Sequence, residues 1–187
     1  MKHSAIRQTI IDSASDLFYN NGYNLTGINE VIKEAGIAKA TLYSHFKSKD
    51  ELCTAYLRHK HGTFLEAFDT YVNDVQKGKK RIMAIFDFLK EFYESEGFNG
   101  CWCINTISEI PKEKIELRRE IKNQKNEFRE VVLNVVKDSL PELKPKKRKE
   151  LSNQIYLLYE GAVSESFLHN ESWPIESAQS ICKSLLG

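Results

Sequence analysis

The chain has 187 residues, 41% of them hydrophobic and 28% charged, enough for one ordinary core or for a small domain joined to a larger one. Its 27 lysines and arginines against 26 aspartates and glutamates leave a net charge of +1, which excludes a uniformly basic protein and confines any nucleic-acid surface to a local patch. The polar and charged stretch Met1–Thr9 is unlike a secretory leader, no run reaches the roughly 18 apolar residues of a membrane span, and four cysteines are too few for a disulfide scaffold, so a cytoplasmic protein with reduced thiols and no membrane association is expected.

Helical periodicity runs along nearly the whole chain, without strand alternation or internal repeats, and predicts an all-α fold of about nine helices. Ile6, Ile10, Ala14, Leu17 and Phe18 share one face of a first helix, which Asn20–Asn21–Gly22 should end because Gly and Asn accept the left-handed conformation. Thr26 is placed to cap a second helix carrying Ile28, Val31, Ile32 and Ala35, which stops at Gly36. Ile37 then anchors a turn, and a third short helix runs from about Lys39 to His45. Ser48–Lys49–Asp50–Glu51 reads as a capping box that starts a long helix through Val72. Gly78 separates that helix from one holding Ile82 to Phe92, and Gly97 and Gly100 precede a short helix over Trp102–Ile110 that Pro111 stops. A long helix is expected over Lys112–Leu140, with Ile115 and Phe128 on its inner face. Pro141 and Pro145 mark a linker, and helices follow over Leu151–His169 and Ile175–Leu186, with Pro174 in a first-turn position. The basic run Lys144–Lys149 falls in that linker, as a solvated approach to the next helix whose cations oppose its dipole.

The first three helices carry the strongest functional signal. A helix-turn-helix needs a small residue in its tight turn, apolar residues locking the two helices, and short polar residues facing outward from the second. The stretch Ala35–Phe46 meets that request: Gly36 serves the turn, while Ile37, Leu42 and Phe46 point inward. Lys39, Ala40, Thr41, Tyr43, Ser44 and His45 are left for solvent or DNA.

The landmarks Ala14-x-x-Leu17-Phe18-x-x-x-Gly22-Tyr23-x-x-Thr26, Ile28-x-x-Val31-x-x-x-Ala35-Gly36-Ile37 and Thr41-Leu42-Tyr43-x-His45-Phe46-x-Ser48-Lys49-x-x-Leu52 resemble the tetracycline-repressor (TetR) family, in register over about the first quarter of the chain. The resemblance implies a helix-turn-helix DNA-binding domain over 1–47 and a helical effector-binding and dimerisation domain over 48–187. It implies that Thr26 and Lys49 hold phosphates, that Lys39, Thr41 and Ser44 meet base edges or adjacent phosphates, and that Tyr43 and His45 reach the backbone. Phosphate contacts of this kind set register and salt dependence rather than sequence preference. Two positions depart from the family's habit. Ala38 replaces a frequent serine, so side-chain capping of the third helix is lost. Ala40 replaces a frequent glycine and offers a methyl that can meet a thymine methyl.

The resemblance further implies a repressor that leaves a near-palindromic double-stranded operator when a small effector binds. Two short helices related by a dyad read such a site, which makes a homodimer the expected form. The apolar stripe of Ile155, Tyr159, Ala162, Val163 and Phe167, joined by Ile181 and Leu185, is broader than one protomer's core requires and is the expected dimer interface. Phe64, Phe68, Phe86, Trp102, Phe128 and Tyr156 are candidates to line the pocket of an unidentified effector, core packing being the other reading of such spacing. Cys101 and Cys103, after a Gly-flexible break, are either redox- or electrophile-sensing thiols or packing residues. The chain holds no P-loop, dinucleotide fingerprint, nucleophile elbow or His-Glu metal motif, so no enzyme, cofactor or metal site is expected.

Overall fold

The computed structural model describes residues 2–187, with side chains from Ser4 onward; Met1, where the expected first domain begins, lies outside the described residues. Among the described residues there are nine α-helices and no strand. They are α1 (Lys2–Leu25), α2 (Ile28–Glu34), α3 (Lys39–His45), α4 (Lys49–Asp74), α5 (Lys79–Glu94), α6 (Trp102–Glu109), α7 (Ile115–Ser139), α8 (Pro145–His169) and α9 (Trp173–Leu186). Among the described residues two compact units emerge: 2–63 with Trp102–Gln124, and Phe64–Cys101 with Lys125–Gly187. This division differs from the expected boundary after residue 47, because the start of α4, α6 and the start of α7 group with the first three helices.

In the first unit, burial along α1 begins at Ile10 and continues through Ala14 and Phe18. Ile6 was expected on that face, but residues 4–9 are all exposed, although the Arg7 guanidinium lies 4.8 Å from the centroid of the Phe46 ring. The Asn20–Asn21–Gly22 stop appears as a break inside α1, where Gly22 has φ +83° and ψ 171° and one further turn follows. Only glycine occupies that backbone region without strain. A Cβ at Gly22 would also run into the carboxylate of Glu109 on α6. That carboxylate accepts the Asn24 N–H at 2.7 Å, and the Asn24 amide donates to the Glu109 carbonyl at 3.1 Å, so α6 is clasped to the end of α1. Gly22→Ala is expected to destabilise the protein by about 1–3 kcal/mol, read as a lower urea midpoint at constant slope. An unchanged midpoint would show that the break carries no strain.

The capping box at α4 has an altered geometry. The Glu51 N–H donates to the Ser48 hydroxyl at 3.1 Å, but the Glu51 carboxylate reaches one residue further back, to the Lys47 N–H at 2.7 Å. α7 begins at Ile115 rather than Lys112, because a turn closed by Lys114 N–H on the Pro111 carbonyl occupies the intervening residues. Ile115 therefore starts the helix exposed rather than on its inner face.

In the second unit, α5, α8 and α9 pack on one another through Ile82, Ile85, Phe86 and Leu89, Ile155, Tyr159 and Val163, and Ile175, Ala178 and Cys182. Arg81 closes the end of α4, donating to the carbonyls of Val75 at 2.8 Å and Asn73 at 3.1 Å. The expected linker through Pro145 is corrected. Pro145 is the first residue of α8, where its fixed φ suits the helix and its missing N–H costs nothing. The basic run thus begins α8, and Arg148 ties the preceding turn by donating to the carbonyls of Leu143 and Pro141 at 2.6 and 2.7 Å.

Candidate functional site

α2 and α3 meet at Gly36, whose φ of +63° makes the tight turn. Val31, Leu42 and Phe46 are fully buried beneath them, whereas Ile28 and Ile37 are only half-buried. With its base fixed, α3 presents Lys39, Ala40, Tyr43 and Ser44 to solvent, and Thr41 and His45 at the edge of the same face. Tyr43 is 46% exposed, unusual for a ring of its size on a helix so well anchored. The Ser44 hydroxyl donates to the Thr41 carbonyl at 2.7 Å, leaving its lone pairs outward. No side chain caps α3, as Ala38 predicts; the Ala38 carbonyl instead accepts the Thr41 N–H at 2.9 Å.

Thr26 is a correction. The N-cap of α2 is Gly27, and Thr26 is 1% exposed with its hydroxyl within 3.0 Å of the Leu17 carbonyl and 2.8 Å of the Gly22 carbonyl. Its N–H also points to Gly22, at 3.4 Å. A hydroxyl that satisfies backbone carbonyls broken loose at Gly22 is not presented to a phosphate. The local sequence does not reveal this, since the competing acceptors exist only because of the Gly22 break.

Lys49 does not extend freely into solvent. Its ammonium lies 4.4 Å from the centroid of the Tyr23 ring and 3.4 Å from the Asn24 carbonyl. Burial pulls its pKa below the ordinary lysine value, against the opposing pull of Cys53 and Asp50. Beside it, Asp50 accepts a hydrogen bond from the Tyr23 hydroxyl at 2.5 Å and one from the Lys114 ammonium at 2.7 Å. Burial pushes the Asp50 carboxyl up, but these two donors and the nearby lysine charges outweigh it and hold the group below the usual carboxylate range. Tyr23 is pushed well up, first by burial and then by its bond to Asp50. Tyr23, Asp50 and Lys114 were not singled out from the sequence. Tyr23 stood within the matched landmarks, but nothing local signals a partner 64 residues away for Asp50.

The second unit gathers part of the expected effector set. Phe128 lies at the centre, with ring centroids 5.1 Å from Phe64, 5.2 Å from Phe68, 6.1 Å from Tyr156 and 5.0 Å from Tyr159. Phe64 and Tyr156 are half-buried and Phe68 fully buried. Phe86 is wholly buried on the inward face of α5, and Trp102 is not part of this set: it belongs to the first unit, its indole donating to Gln124 at 3.4 Å. Next to the rings, Lys125 pairs with Glu160 at 2.6 Å and donates to the Cys101 sulfur at 3.0 Å. Among the described residues the Tyr159 hydroxyl is buried with no hydrogen-bond partner. Cys101 falls in the second unit and Cys103 in the first, both buried and outside any disulfide, with the Cys103 thiol on Gln124 at 3.4 Å.

The expected dimer stripe is also corrected. Ile155, Tyr159, Ala162 and Val163 are buried within the protomer, because the apolar side of α8 serves its own core. The outward side, half a turn away, carries Leu157 (66% exposed), Gly161, Ser164 and Leu168 (72% exposed). Phe167, Ile181 and Leu185 are exposed, as that expectation requires. Among the described residues no helix is long and apolar enough to cross a membrane, and no cluster of metal-ligating side chains occurs.

These features define an all-helical protein with an N-terminal helix-turn-helix. Residues 10–56 match the family described as bacterial regulatory proteins, tetR family. Over 133 residues the chain is 28% identical to the Fatty acid metabolism regulator protein of Bacillus subtilis, a match covering 71% of this chain and 65% of that protein. It is 31% identical over 96 residues to the HTH-type transcriptional activator FasR of Mycolicibacterium smegmatis, covering 49% of this chain and 43% of that protein. The matches thus span less than two thirds of either relative's length. In fold, the crystal structure of a TetR-family transcriptional regulator from Streptomyces coelicolor aligns with a TM-score of 0.86 at 22% identity, over 98% of this chain and 95% of that one. Residues 10–56 thus match the tetR family of bacterial regulatory proteins, and the chain as a whole shares the fold of a TetR-family regulator.

Proposed function

We propose that the chain is a transcription regulator that binds a near-palindromic double-stranded operator as a homodimer and loses affinity for it when a small effector occupies the second unit. The observation that carries this reading is the polar, exposed face of α3 standing on a fully buried base of Leu42 and Phe46. A dimer presenting two such helices about one DNA turn apart, roughly 34–36 Å, reads a near-palindrome. Selection of duplexes from a random library, followed by titration at several salt concentrations, tests it. Nanomolar, salt-sensitive binding to a near-palindrome is expected, and the absence of any preferred duplex would overturn the reading. The resemblance carries repression as the sign, which a reporter placed behind the selected operator checks.

The dimer face in this reading is the outward side of α8 and α9, led by Leu157, Leu168, Ile181 and Leu185. Large exposed apolar side chains aligned on adjoining helices favour a self-complementary contact. Leu157→Glu with Leu168→Glu is expected to give a folded monomer by sedimentation velocity, with operator affinity falling at least tenfold. A dimer that survives both charges would exclude this face.

The ring set around Phe128 suits an effector with an apolar body, and the name of the Bacillus subtilis relative supports an acyl compound. Palmitate is the first probe. Linkage requires that operator DNA weaken palmitate binding by the same factor that palmitate weakens DNA binding. Equal palmitate affinity with and without operator excludes it as the effector.

A redox or electrophile sensor at Cys101 and Cys103 is favoured by one observation, the Lys125 ammonium 3.0 Å from the Cys101 sulfur, since a cation beside a thiol favours the reactive thiolate. Loss of peroxide-induced operator release in Cys101→Ser, but not in Cys103→Ser, would support that reading.

A further inference from the structure

We infer that Lys114 and Asp50 are positioning residues for Lys49: by occupying Asp50, Lys114 keeps the Lys49 ammonium available to a DNA phosphate. The inference rests on the DNA-binding reading above and adds residues to it that lie outside the helix-turn-helix. It stands on three placements within the first unit. Both oxygens of the Asp50 carboxylate are engaged, one by the Tyr23 hydroxyl at 2.5 Å and the other by the Lys114 ammonium at 2.7 Å. Lys49, the next residue along α4, is held on the face of that same Tyr23, 4.4 Å from its centroid. Among the described residues its hydrogen bond is a long one, 3.4 Å, to the Asn24 carbonyl, which leaves N–H groups for another acceptor.

A carboxylate beside an ammonium competes directly with a phosphate for it, and the outcome depends on what else neutralises the carboxylate. Here Lys114 supplies that neutralisation. Without it, the vacated oxygen of Asp50 is open to Lys49, which also has Glu109 nearby, and the carboxylates Glu51, Glu113 and Glu116 that border the cleft supply no substitute cation. Lys49 then turns from the DNA side onto Asp50, and one phosphate contact per protomer is lost. Lys114 stands in the turn between α6 and α7, so a residue far from the helix-turn-helix in sequence sets how that motif meets the backbone of the duplex.

The test is a double-mutant cycle read by operator titration across potassium chloride concentrations, using the duplex that the wild-type protein selects. Lys114→Met is expected to weaken binding about tenfold or more and to reduce the slope of log affinity against log salt by about two for the dimer, one contact per protomer. Lys114→Arg should retain both values. Asp50→Asn combined with Lys114→Met should recover them, because a neutral amide holds Lys49 far more weakly than a carboxylate does. In a Lys49→Met background, Lys114→Met should change neither. A loss that persists in the Lys49→Met background would assign the effect to general charge or to folding and overturn the inference, as would an unchanged salt slope in Lys114→Met. If the wild-type protein selects no duplex, both the DNA-binding reading and this inference fall; if it selects one and the cycle shows no coupling, only the inference does. Thermal melts of each variant separate a local effect from unfolding.

Discussion

Replacing Lys39 and Tyr43 together by alanine is expected to reduce operator affinity by at least about 100-fold while leaving the melting temperature and the dimer unchanged. A good contact to a base edge, the role expected of Lys39, is worth about 1–3 kcal/mol; Tyr43 adds a contact to the DNA backbone, and a dimer on a near-palindrome loses each contact twice. Both side chains are exposed on α3, and the packing beneath them is carried by Leu42 and Phe46, which the substitutions do not touch. Surface changes of that kind alter stability by roughly 0.5 kcal/mol or less. Fluorescence anisotropy on the selected duplex, with circular dichroism and sedimentation on the same samples, makes the measurement. Undiminished affinity would remove α3 from the DNA interface. Loss of affinity together with helicity would make the two residues structural.

Phe128→Ala is the substitution with the largest expected effect on stability, about 3–5 kcal/mol by analogy with other buried aromatic truncations. Its ring meets those of Phe64, Phe68, Tyr156 and Tyr159, and it is almost wholly buried, so truncation leaves a void that four neighbours cannot collapse into without leaving their own contacts. The half-buried Phe64 is the control, and its alanine variant should cost clearly less because solvent already reaches part of the ring. Urea titrations of the two variants decide it. A smaller loss for Phe128 than for Phe64 would mean that the ring set is a loosely packed surface rather than a core.

Much of this architecture was legible because it is locally written. Gly22, Gly36 and Gly78 break or begin helices where their backbone conformation demands, and the spacing of Leu42 and Phe46 alone turns them inward. Pro145 was misread because proline's physics is two-sided: the ring that forbids a helix interior also suits the first turn, and only the tertiary setting chooses. Thr26 was misread because its acceptors are carbonyls freed by the distortion at Gly22. On α8 the apolar stripe was visible, but hydrophobicity does not say whether a face is buried by its own chain or by a second copy. The outward Leu157 and Leu168 fell on the side that the pattern treats as polar. The candidate site was half legible for the same reason. The α3 face follows from a seven-residue helix, whereas the arrangement around Lys49 depends on Lys114, whose partnership with Asp50 spans 64 positions.

The clasp between Glu109 and Asn24 bears on how the protein is made. The unit that holds α3 is discontinuous in the chain, assembled from residues 2–63 and Trp102–Gln124 with another segment between them. A nascent chain emerging from the ribosome at about 5–20 residues per second presents α1 to α3 roughly 3–11 s before α6 begins to exist to cover them. During that interval the Asn24 N–H has no Glu109 to donate to and Asp50 has no Lys114. The face that is to meet DNA is therefore synthesised first and completed late, which places a delay between translation of the helix-turn-helix and the appearance of a finished DNA-binding unit.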